Sequence, residues 1–235
     1  MAARRSLKLA PAGRTVPSTS LRGKRVLITR AHEWMGPILR EVFTAYGAVV
    51  ISDSRSLIEP GAAATIVAAA GTIDILVANM TAPTRFTPAI KVSDVEWIEV
   101  FEAFVNPLPR LFRAVLPQMT QRRAGKVLLI GGFAETKDMQ RSSAYGAAVG
   151  AQMGYVQYVG KEVAPHNVQV NAIVKGVLDD VSPLSRKVQA ISRPKKHANP
   201  TLVPASSKMA REHAQFAAFL CSEGARCFAG QTFPL

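Results

Sequence analysis

The hydrophobic and polar positions of the chain follow two alternating patterns. Short runs rich in β-branched residues predict strands at 25–30, 48–53, 74–79, 126–131, 168–174 and 231–235. Longer segments with apolar residues at helical spacing predict helices near 36–46, 61–70, 93–119, 143–163 and 207–223. Because the strand-like runs are apolar on both faces and are separated by helices, they indicate a parallel sheet that is covered on both sides.

A series of strand–helix–strand units of this kind predicts a single doubly wound, Rossmann-type α/β domain with a mostly parallel sheet. The interval between Asp53 and Asp74 is short for that fold. It has room for one small helix and no convincing strand, although a further strand usually lies there. We therefore expect this strand to be missing or vestigial.

The positive charge of the chain is concentrated at its beginning. The 235 residues carry a net charge of +13, and residues 1–25 supply seven basic side chains and no acid. We predict a disordered basic tail at 1–23 and a folded domain at 24–235. The tail also has the composition of an organelle transit peptide, and this alternative stays open. Neither the tail nor the basic stretch at 193–197 has the interleaved aromatic residues of a single-strand binder, which argues against a nucleic-acid partner.

The composition also disfavours membrane and metal proteins. No apolar run reaches the roughly 20 residues that span a bilayer. Cys221 and Cys227 have neither the spacing of a metal site nor that of a disulfide framework, and the four histidines are scattered. We therefore expect no membrane segment, no metal and a reducing, cytoplasmic location.

Several motifs occur in the order that one large enzyme superfamily shows. They are the strand–turn–helix at 25–46, Asp53 after the second strand, DILVAN (74–79), LPQM (116–119), GKVLLIGG (125–132) and a dense match at 142–176. From Gly23 onward the chain therefore resembles the short-chain dehydrogenase/reductase superfamily. The resemblance implies a Rossmann fold, an NAD(P) cofactor and a catalytic tyrosine, Tyr145, at the beginning of the active-site helix.

The catalytic set that this resemblance implies is incomplete. The superfamily has a serine thirteen residues before the tyrosine and a lysine four residues after it, and this chain has Gly132 and Val149 there. A phenol has a pKa of about 10, so only about one in a thousand is ionised at pH 7 without a neighbouring positive charge. The superfamily's active-site asparagine falls at Phe104, with Asn106 nearby on another face of the predicted helix. Tyr145 is the candidate catalytic residue that remains.

The cofactor turn is altered as well. The superfamily pattern T-G-x-x-x-G-x-G falls on Thr29, Arg30, Trp34 and Gly36, so two of its glycines are replaced. Those glycines let the backbone approach the pyrophosphate at a helix N-terminus. Halohydrin dehalogenases, a branch of the superfamily, carry T-x4-F-x-G, with the aromatic residue filling the emptied cofactor site. Trp34 at the same spacing predicts a closed cofactor site, although a tryptophan in a turn can also be an ordinary core residue.

We therefore expect a vestigial cofactor pocket that consists of Thr29, Trp34, Gly36, Asp53 and Asn79. Asp53 has the place of an acid that binds the NAD ribose, but acids at strand ends are also common on protein surfaces. The expected cofactor is none, or NAD(P) if the pocket is still open.

Two pairs of adjacent titratable residues have ordinary interpretations. His32 and Glu33 are adjacent in the turn, where neighbouring side chains often diverge, so we expect an exposed pair rather than an acid/base pair. The carboxylates of Asp179 and Asp180 have no further metal ligands nearby in sequence, and we expect them to be exposed on a loop.

The lead hypothesis is a non-catalytic subunit that pairs with itself or with an active dehydrogenase. In the superfamily, the helices that correspond to 93–119 and 143–163 form the subunit interface, and the small residues of 143–163 would allow close helix approach. One alternative is a halohydrin dehalogenase-like lyase that uses Tyr145 with a cation such as Lys137 or Arg141. This branch, however, needs a serine and an arginine at positions 132 and 149. The other alternative is a residual NAD(P)-dependent oxidoreductase, so the sequence leaves open whether the chain is an enzyme.

Overall fold

The computed structural model describes residues 19–80, 87–132, 142–174 and 208–235. Within them one six-stranded sheet has the order β2-β1-β3-β4-β5-β6, and every neighbouring pair is parallel. The strands are β1 (Arg25–Thr29), β2 (Val49–Asp53), β3 (Ile75–Asn79), β4 (Gly125–Gly131), β5 (Val168–Val174) and β6 (Thr232–Pro234). The helices are α1 (Gly36–Ala45), α2 (Ala62–Ala70), α3 (Asp94–Phe104), α4 (Pro107–Gln121), α5 (Ser143–Val163) and α6 (Lys208–Leu220). The predicted strands are confirmed to within one residue at each end.

Two apolar clusters cover the two faces of the sheet. One lies under α2, α3, α4 and α5, and the other under α1 and α6. Successive strand residues point to opposite faces, so Leu27 of β1 joins the first cluster while Val26 and Ile28 join the second. Helices on both sides of a parallel sheet confirm the predicted doubly wound α/β fold.

The strand that we expected to be missing or vestigial between Asp53 and Asp74 is absent, and all of these residues are described. Residues 54–61 contain turns and bends but no strand, and α2 leads directly to β3. As a result β2 is the edge strand, and its residue Val49 is half exposed.

The long helix predicted at 93–119 is wrong in one respect, because the structure has two helices there. α3 ends at Phe104 and α4 begins at Pro107. Proline has no backbone N–H to continue the bonding of a helix, but it is well suited to the first helical position. The beginning of α3 is capped by Ser93, whose side chain accepts a hydrogen bond from the Glu96 amide at 3.1 Å.

Residues just before the predicted boundary at residue 24 take part in the packing. Leu21 is buried, and its amide donates to the carbonyl of Tyr46 at 2.9 Å. The amide of Gly23 likewise donates to Gly47. An apolar side chain next to the basic residues thus belongs to the core, while residues 1–18 of the predicted tail lie outside the described residues.

Candidate functional site

Three of the candidate residues lie together at the carboxyl edge of the sheet. Thr29, Asp53 and Asn79 are the last residues of β1, β2 and β3, which are neighbours in the sheet. Thr29 pairs with Asp53 in register, and its hydroxyl accepts a hydrogen bond from the Asn79 amide at 3.2 Å. This is the edge at which parallel α/β sheets bind ligands.

The turn after β1 has a left-handed backbone at the two positions where the superfamily's glycines are replaced. Arg30 and Trp34 both have a φ of +47°, in the left-handed region. For residues other than glycine this conformation costs about 1–2 kcal/mol each. Gly36, the glycine that remains, has no room for a side chain, because a β-carbon there would lie 2.5 Å from the carbonyl oxygen of Ala31.

Asn79 holds this turn in place. Its side-chain amide donates to the carbonyl oxygens of Arg30, at 3.1 Å, and Glu33, at 3.0 Å. Two amides of the turn are also used within it, since Glu33 donates to Arg30 and Gly36 donates to Glu33. Asn79 is completely buried, so its described contacts are those of a residue that positions the turn.

The side chain of Trp34 is 9% exposed and belongs to the apolar cluster under α1 and α6. Its neighbours in sequence, Ala31 and Met35, belong to the same cluster. The tryptophan is therefore packed as a core residue as well as standing at a glycine position of the turn.

The charged residues of the turn pair with different partners. Arg30 Nε donates to a carboxylate oxygen of Glu33 at 3.0 Å, while His32 Nδ1 lies 3.3 Å from a guanidinium nitrogen of Arg40. His32 and Glu33 are both exposed, as expected, and the structure does not bring them together.

Asp53 is engaged by Arg55. The guanidinium Nε of Arg55 donates to the carboxylate at 2.9 Å, and the Arg55 amide donates to it at 2.9 Å. Burial raises the pKa of the Asp53 carboxyl, but the hydrogen bonds and the charge of Arg55 outweigh this effect and leave that pKa below its ordinary value. The carboxylate thus already has a charged partner from its own chain.

Tyr145 lies in the first turn of α5 and is 4% exposed. Its ring stacks on Phe104, with centroids 5.2 Å apart and planes at 21°. A β-carbon at Gly132 would overlap the hydroxyl oxygen of Tyr145 and would lie 2.7 Å from the ring of Phe104. The tyrosine hydroxyl therefore occupies the space where a serine side chain would begin.

The face of α5 that carries Tyr145 continues into the core. Val149 and Gln152 follow at helical spacing, and both are buried. Gln152 donates to the carbonyl oxygen of Phe104 at 2.6 Å, which fixes α5 against the end of α3. Sequence reasoning missed this glutamine, although its position three residues after Val149 places it on the same face.

The described hydrogen bond of the Asn106 side chain is to a residue outside the group around Tyr145. Its side chain donates to a carboxylate oxygen of Glu102 at 2.7 Å, and Glu102 in turn pairs with Arg110. Because α3 ends at Phe104 and α4 begins at Pro107, Asn106 lies between two helices and not on another face of one long helix.

Other predicted features fall outside the described residues or show no site within them. Lys137, Arg141, Asp179, Asp180 and the stretch 193–197 lie outside. In the described ranges no group of three His, Cys, Asp or Glu side chains could hold a metal, and no helix is long and apolar enough to cross a membrane.

Comparisons with known proteins agree with this fold. Residues 17–235 match the family described as enoyl-(acyl carrier protein) reductase. The chain is 28% identical to the 3-oxoacyl-(acyl-carrier-protein) reductase FabG of Vibrio harveyi over 91% of this chain and 96% of that protein.

Two solved structures are similar in fold. The L-sorbose reductase of Gluconobacter frateurii, complexed with NADPH and L-sorbose, matches with a TM-score of 0.76 and 21% identity over 92% of this chain and 96% of its own. A dehalogenation enzyme matches with a TM-score of 0.73 and 22% identity over 92% of this chain and 97% of its own. At this identity the structures show the fold alone. The family match over nearly the whole chain shows more: the chain belongs to the short-chain dehydrogenase/reductase superfamily, within the family described as enoyl-(acyl carrier protein) reductase.

Proposed function

We propose that the chain is a non-catalytic member of its superfamily and works as a subunit of an oligomer, paired with itself or with an active dehydrogenase. One observation carries the proposal: Tyr145, the remaining catalytic candidate, is packed into the space at Gly132 and stacked on Phe104. A catalytic phenol must reach the substrate oxygen to within hydrogen-bond distance. A hydroxyl that fills a packing gap in the core is poorly placed to do so.

The residue after Tyr145 on the same helical face supports the proposal. Val149 brings an apolar, buried side chain to the place where the superfamily has a lysine. An ammonium group there would favour the phenolate, and a valine side chain supplies no such charge. Gly132 also supplies no hydroxyl to a developing oxyanion, and the loss of one such donor slows related reactions about 10²–10³-fold.

The residues at the carboxyl edge fit a dinucleotide poorly. Trp34 adds a β-carbon and a buried side chain at a position where the superfamily's glycine allows close approach, and Asp53 is already bonded to Arg55. We therefore propose that Thr29, Trp34, Gly36, Asp53 and Asn79 form a vestigial pocket and that the chain binds no NAD(P). The L-sorbose reductase structure holds NADPH, so this part of the proposal depends on the turn of this chain and not on its fold.

The proposed oligomer uses the surface of the helices beside the site. On α5 the space outside Gly146, Gly150 and Gly154 is open, which leaves room for another helix to approach. Exposed apolar side chains, Trp97 among them, lie on α3. An inactive copy can still contribute stability or specificity to an assembly through such a surface.

The test is an assay of the purified full chain with NADH or NADPH and a 3-oxoacyl substrate, beside an active reductase as positive control. We expect no turnover above that of the Tyr145→Phe variant. Affinity purification from the native source would then show whether the chain comes with further copies or with an active dehydrogenase. Turnover that is abolished by Tyr145→Phe would overturn the proposal.

A second candidate is an active NAD(P)-dependent oxidoreductase. Its support is the similarity to the Vibrio harveyi protein, which is named as a reductase. It requires Tyr145 to leave Gly132 and the turn to accept a dinucleotide despite Trp34. The same assay decides between the two, since only the second candidate turns over.

A third candidate is a halohydrin dehalogenase-like lyase. The spacing Thr29-x4-Trp34-x-Gly36 favours it, and a dehalogenation enzyme shares the fold. It needs no dinucleotide, but it needs Tyr145 as a base. Chloride release from a simple halohydrin, abolished by Tyr145→Phe, would support this candidate.

A further inference from the structure

Lys126 is a buried lysine near the beginning of β4. The residue is 8% exposed, and its Nζ donates to Oε1 of Gln169 at 3.0 Å. Gln169 is its in-register neighbour on β5 and is also buried. A lysine is almost never buried to this extent without a charged partner. Gln169 is neutral, however, and none of the ion pairs among the described residues includes Lys126.

This lysine lies far from the candidate pocket. It is the second residue of β4, at the amino edge of the sheet, whereas Tyr145 packs beside Gly132 at the carboxyl edge. Successive strand residues point to opposite faces. Lys126 is therefore on the same face as Leu128 and Ile130, which belong to the cluster under α1 and α6.

The groups around Lys126 are mostly positive. Lys24 directly precedes β1, and Glu223 and Arg226 follow the end of α6. Burial is the main reason that the pKa of Lys126 lies below its ordinary value. The neighbouring Cys221 and Glu223 oppose this shift of the pKa, and the charges of Lys24 and Arg226 add to it. Three cations thus stand close to one carboxylate and to a thiol that burial keeps neutral.

The cluster is open to the solvent on one side. Lys24 and Arg226 are exposed, while Lys126 and Gln169 lie buried beneath. In the described part of the chain, no hydrogen bond or ion pair uses the side chain of Lys24 or Arg226. Two ammonium groups and a guanidinium group are therefore available to an acceptor that arrives from solution.

We propose that Lys24, Lys126 and Arg226 form a binding site for a phosphate dianion, either free phosphate or the monoester of a small molecule. We call these three residues the Lys126 site. A dianion supplies the counter-charge that the buried ammonium group lacks. Its oxygens can accept from both ammonium groups and from the planar fork of the guanidinium at the same time. The proposal is independent of the proposed non-catalytic function, because the Lys126 site uses neither Tyr145 nor the turn after β1.

The test is isothermal titration calorimetry of the full chain with inorganic phosphate, in sodium chloride that keeps the ionic strength constant. We expect saturable binding of one phosphate per chain. Lys24→Gln and Arg226→Gln remove exposed charges, so both variants should fold, and each should raise the dissociation constant about tenfold or more. The control is Lys208→Gln at the other end of α6, whose side chain is 92% exposed. This variant loses the same charge and should bind phosphate like the wild type.

A second titration with glycerol phosphate distinguishes the two sources of the ligand. Tighter binding than that of inorganic phosphate would support a monoester as the ligand, and weaker binding would support free phosphate. Circular dichroism checks that every variant is folded.

A local measurement tests the place of the buried lysine. A bound dianion favours the ammonium form, so phosphate should raise the pKa of Lys126. Nuclear magnetic resonance of ¹³C-labelled lysine side chains measures this pKa, and Lys126→Arg identifies the signal. The proposal would be overturned by a wild type that binds no phosphate, by Lys24→Gln and Arg226→Gln variants that bind it unchanged, or by a pKa of Lys126 that phosphate does not move. None of these results bears on the turnover assay, which tests the non-catalytic function separately.

Discussion

The hydroxyl of Tyr145 and the α-carbon of Gly132 form a packing pair, since a β-carbon at position 132 would overlap that hydroxyl. In the superfamily these two positions hold cooperating catalytic groups. Here Tyr145 is buried beside Gly132, and its ring stacks on Phe104. Gly132, Tyr145 and Phe104 are therefore packed against one another.

This coupling predicts that Gly132 tolerates no side chain. Gly132→Ala would force Tyr145 and Phe104 to move, and overpacking of this kind costs about 1–3 kcal/mol in the free energy of unfolding. Chemical denaturation measures the change. The control is Gly61→Ala at the beginning of α2, where φ is −84° and no atom lies within 4 Å of the added carbon. There the free energy of unfolding should change by less than about 0.5 kcal/mol.

In the Gly132→Ala variant, removing the hydroxyl of Tyr145 should restore part of the lost stability. In the Tyr145→Phe background the atom that overlaps most with the new β-carbon is gone, although the ring carbon Cζ is still 2.7 Å away. A double-mutant cycle should therefore give a coupling free energy of about 0.5–3 kcal/mol. A coupling of zero would contradict the packing described for this pair.

A second prediction concerns the turn. Trp34→Gly relieves the left-handed backbone, worth about 1–2 kcal/mol, but removes a buried aromatic side chain, worth about 3–5 kcal/mol. We expect a net loss of stability in thermal or chemical denaturation. Arg30→Gly is the matched control, because Arg30 has the same φ of +47° but a surface ion pair with Glu33 instead of core contacts. The same relief of the backbone is offset there only by the loss of an ion pair worth about 0–1 kcal/mol, so we expect Arg30→Gly to leave the free energy of unfolding unchanged or to raise it slightly. A large loss of stability in Arg30→Gly would mean that the side chains do not distinguish the two positions.

A third prediction is that the contribution of the Asp53–Arg55 pair to the free energy of unfolding depends on pH. The folded-state pKa of Asp53 lies below its ordinary value of 3.8. The unfolded chain therefore takes up this proton first as the pH falls, so the contribution of the pair is present above about pH 4 and is lost below it. The difference in free energy of unfolding between the wild type and Arg55→Gln should be larger at pH 6 than at pH 3. A difference that is independent of pH would contradict the assigned pair.

A fourth prediction follows from the two cysteines. Cys221 is buried, and burial raises the pKa of its thiol to about 12, whereas Cys227 is exposed. Because the thiolate is the reactive form, a thiol reagent should modify Cys227 quickly and Cys221 only after unfolding. The folded Cys227→Ser variant should therefore show almost no reaction with the thiol reagent. Fast modification of that variant would mean that the segment after α6 opens readily.

The strands were predictable because each carries several apolar residues in an unbroken run. For Val26, Leu27 and Ile28 the alternation between faces follows from strand geometry alone. The sequence pattern does not show the division of 93–119, because apolar periodicity continues across Asn106 and Pro107, whereas the proline has no N–H to continue α3 and begins α4. The chemistry of Pro107 therefore outweighs the apolar pattern, and two helices form where one was predicted.

The candidate site was predictable in position but not in contacts. The ends of β1, β2 and β3 place Thr29, Asp53 and Asn79 at one edge, as parallel strands must. The sequence does not show where a side chain points, however. The bonds of Asn79 to the turn and the pairing of Arg55 with Asp53 can therefore be seen only in the structure. The position of Tyr145 beside Gly132 depends on the packing of three separate segments.

The most direct test of the central claim is a calorimetric titration of the purified full chain with NADPH and with NADH. Trp34 in the turn, Arg55 on Asp53 and Tyr145 against Gly132 together predict no saturable binding up to millimolar cofactor. The L-sorbose reductase, whose structure holds NADPH, serves as the positive control. Stoichiometric binding of either cofactor, with turnover that Tyr145→Phe abolishes, would contradict the account.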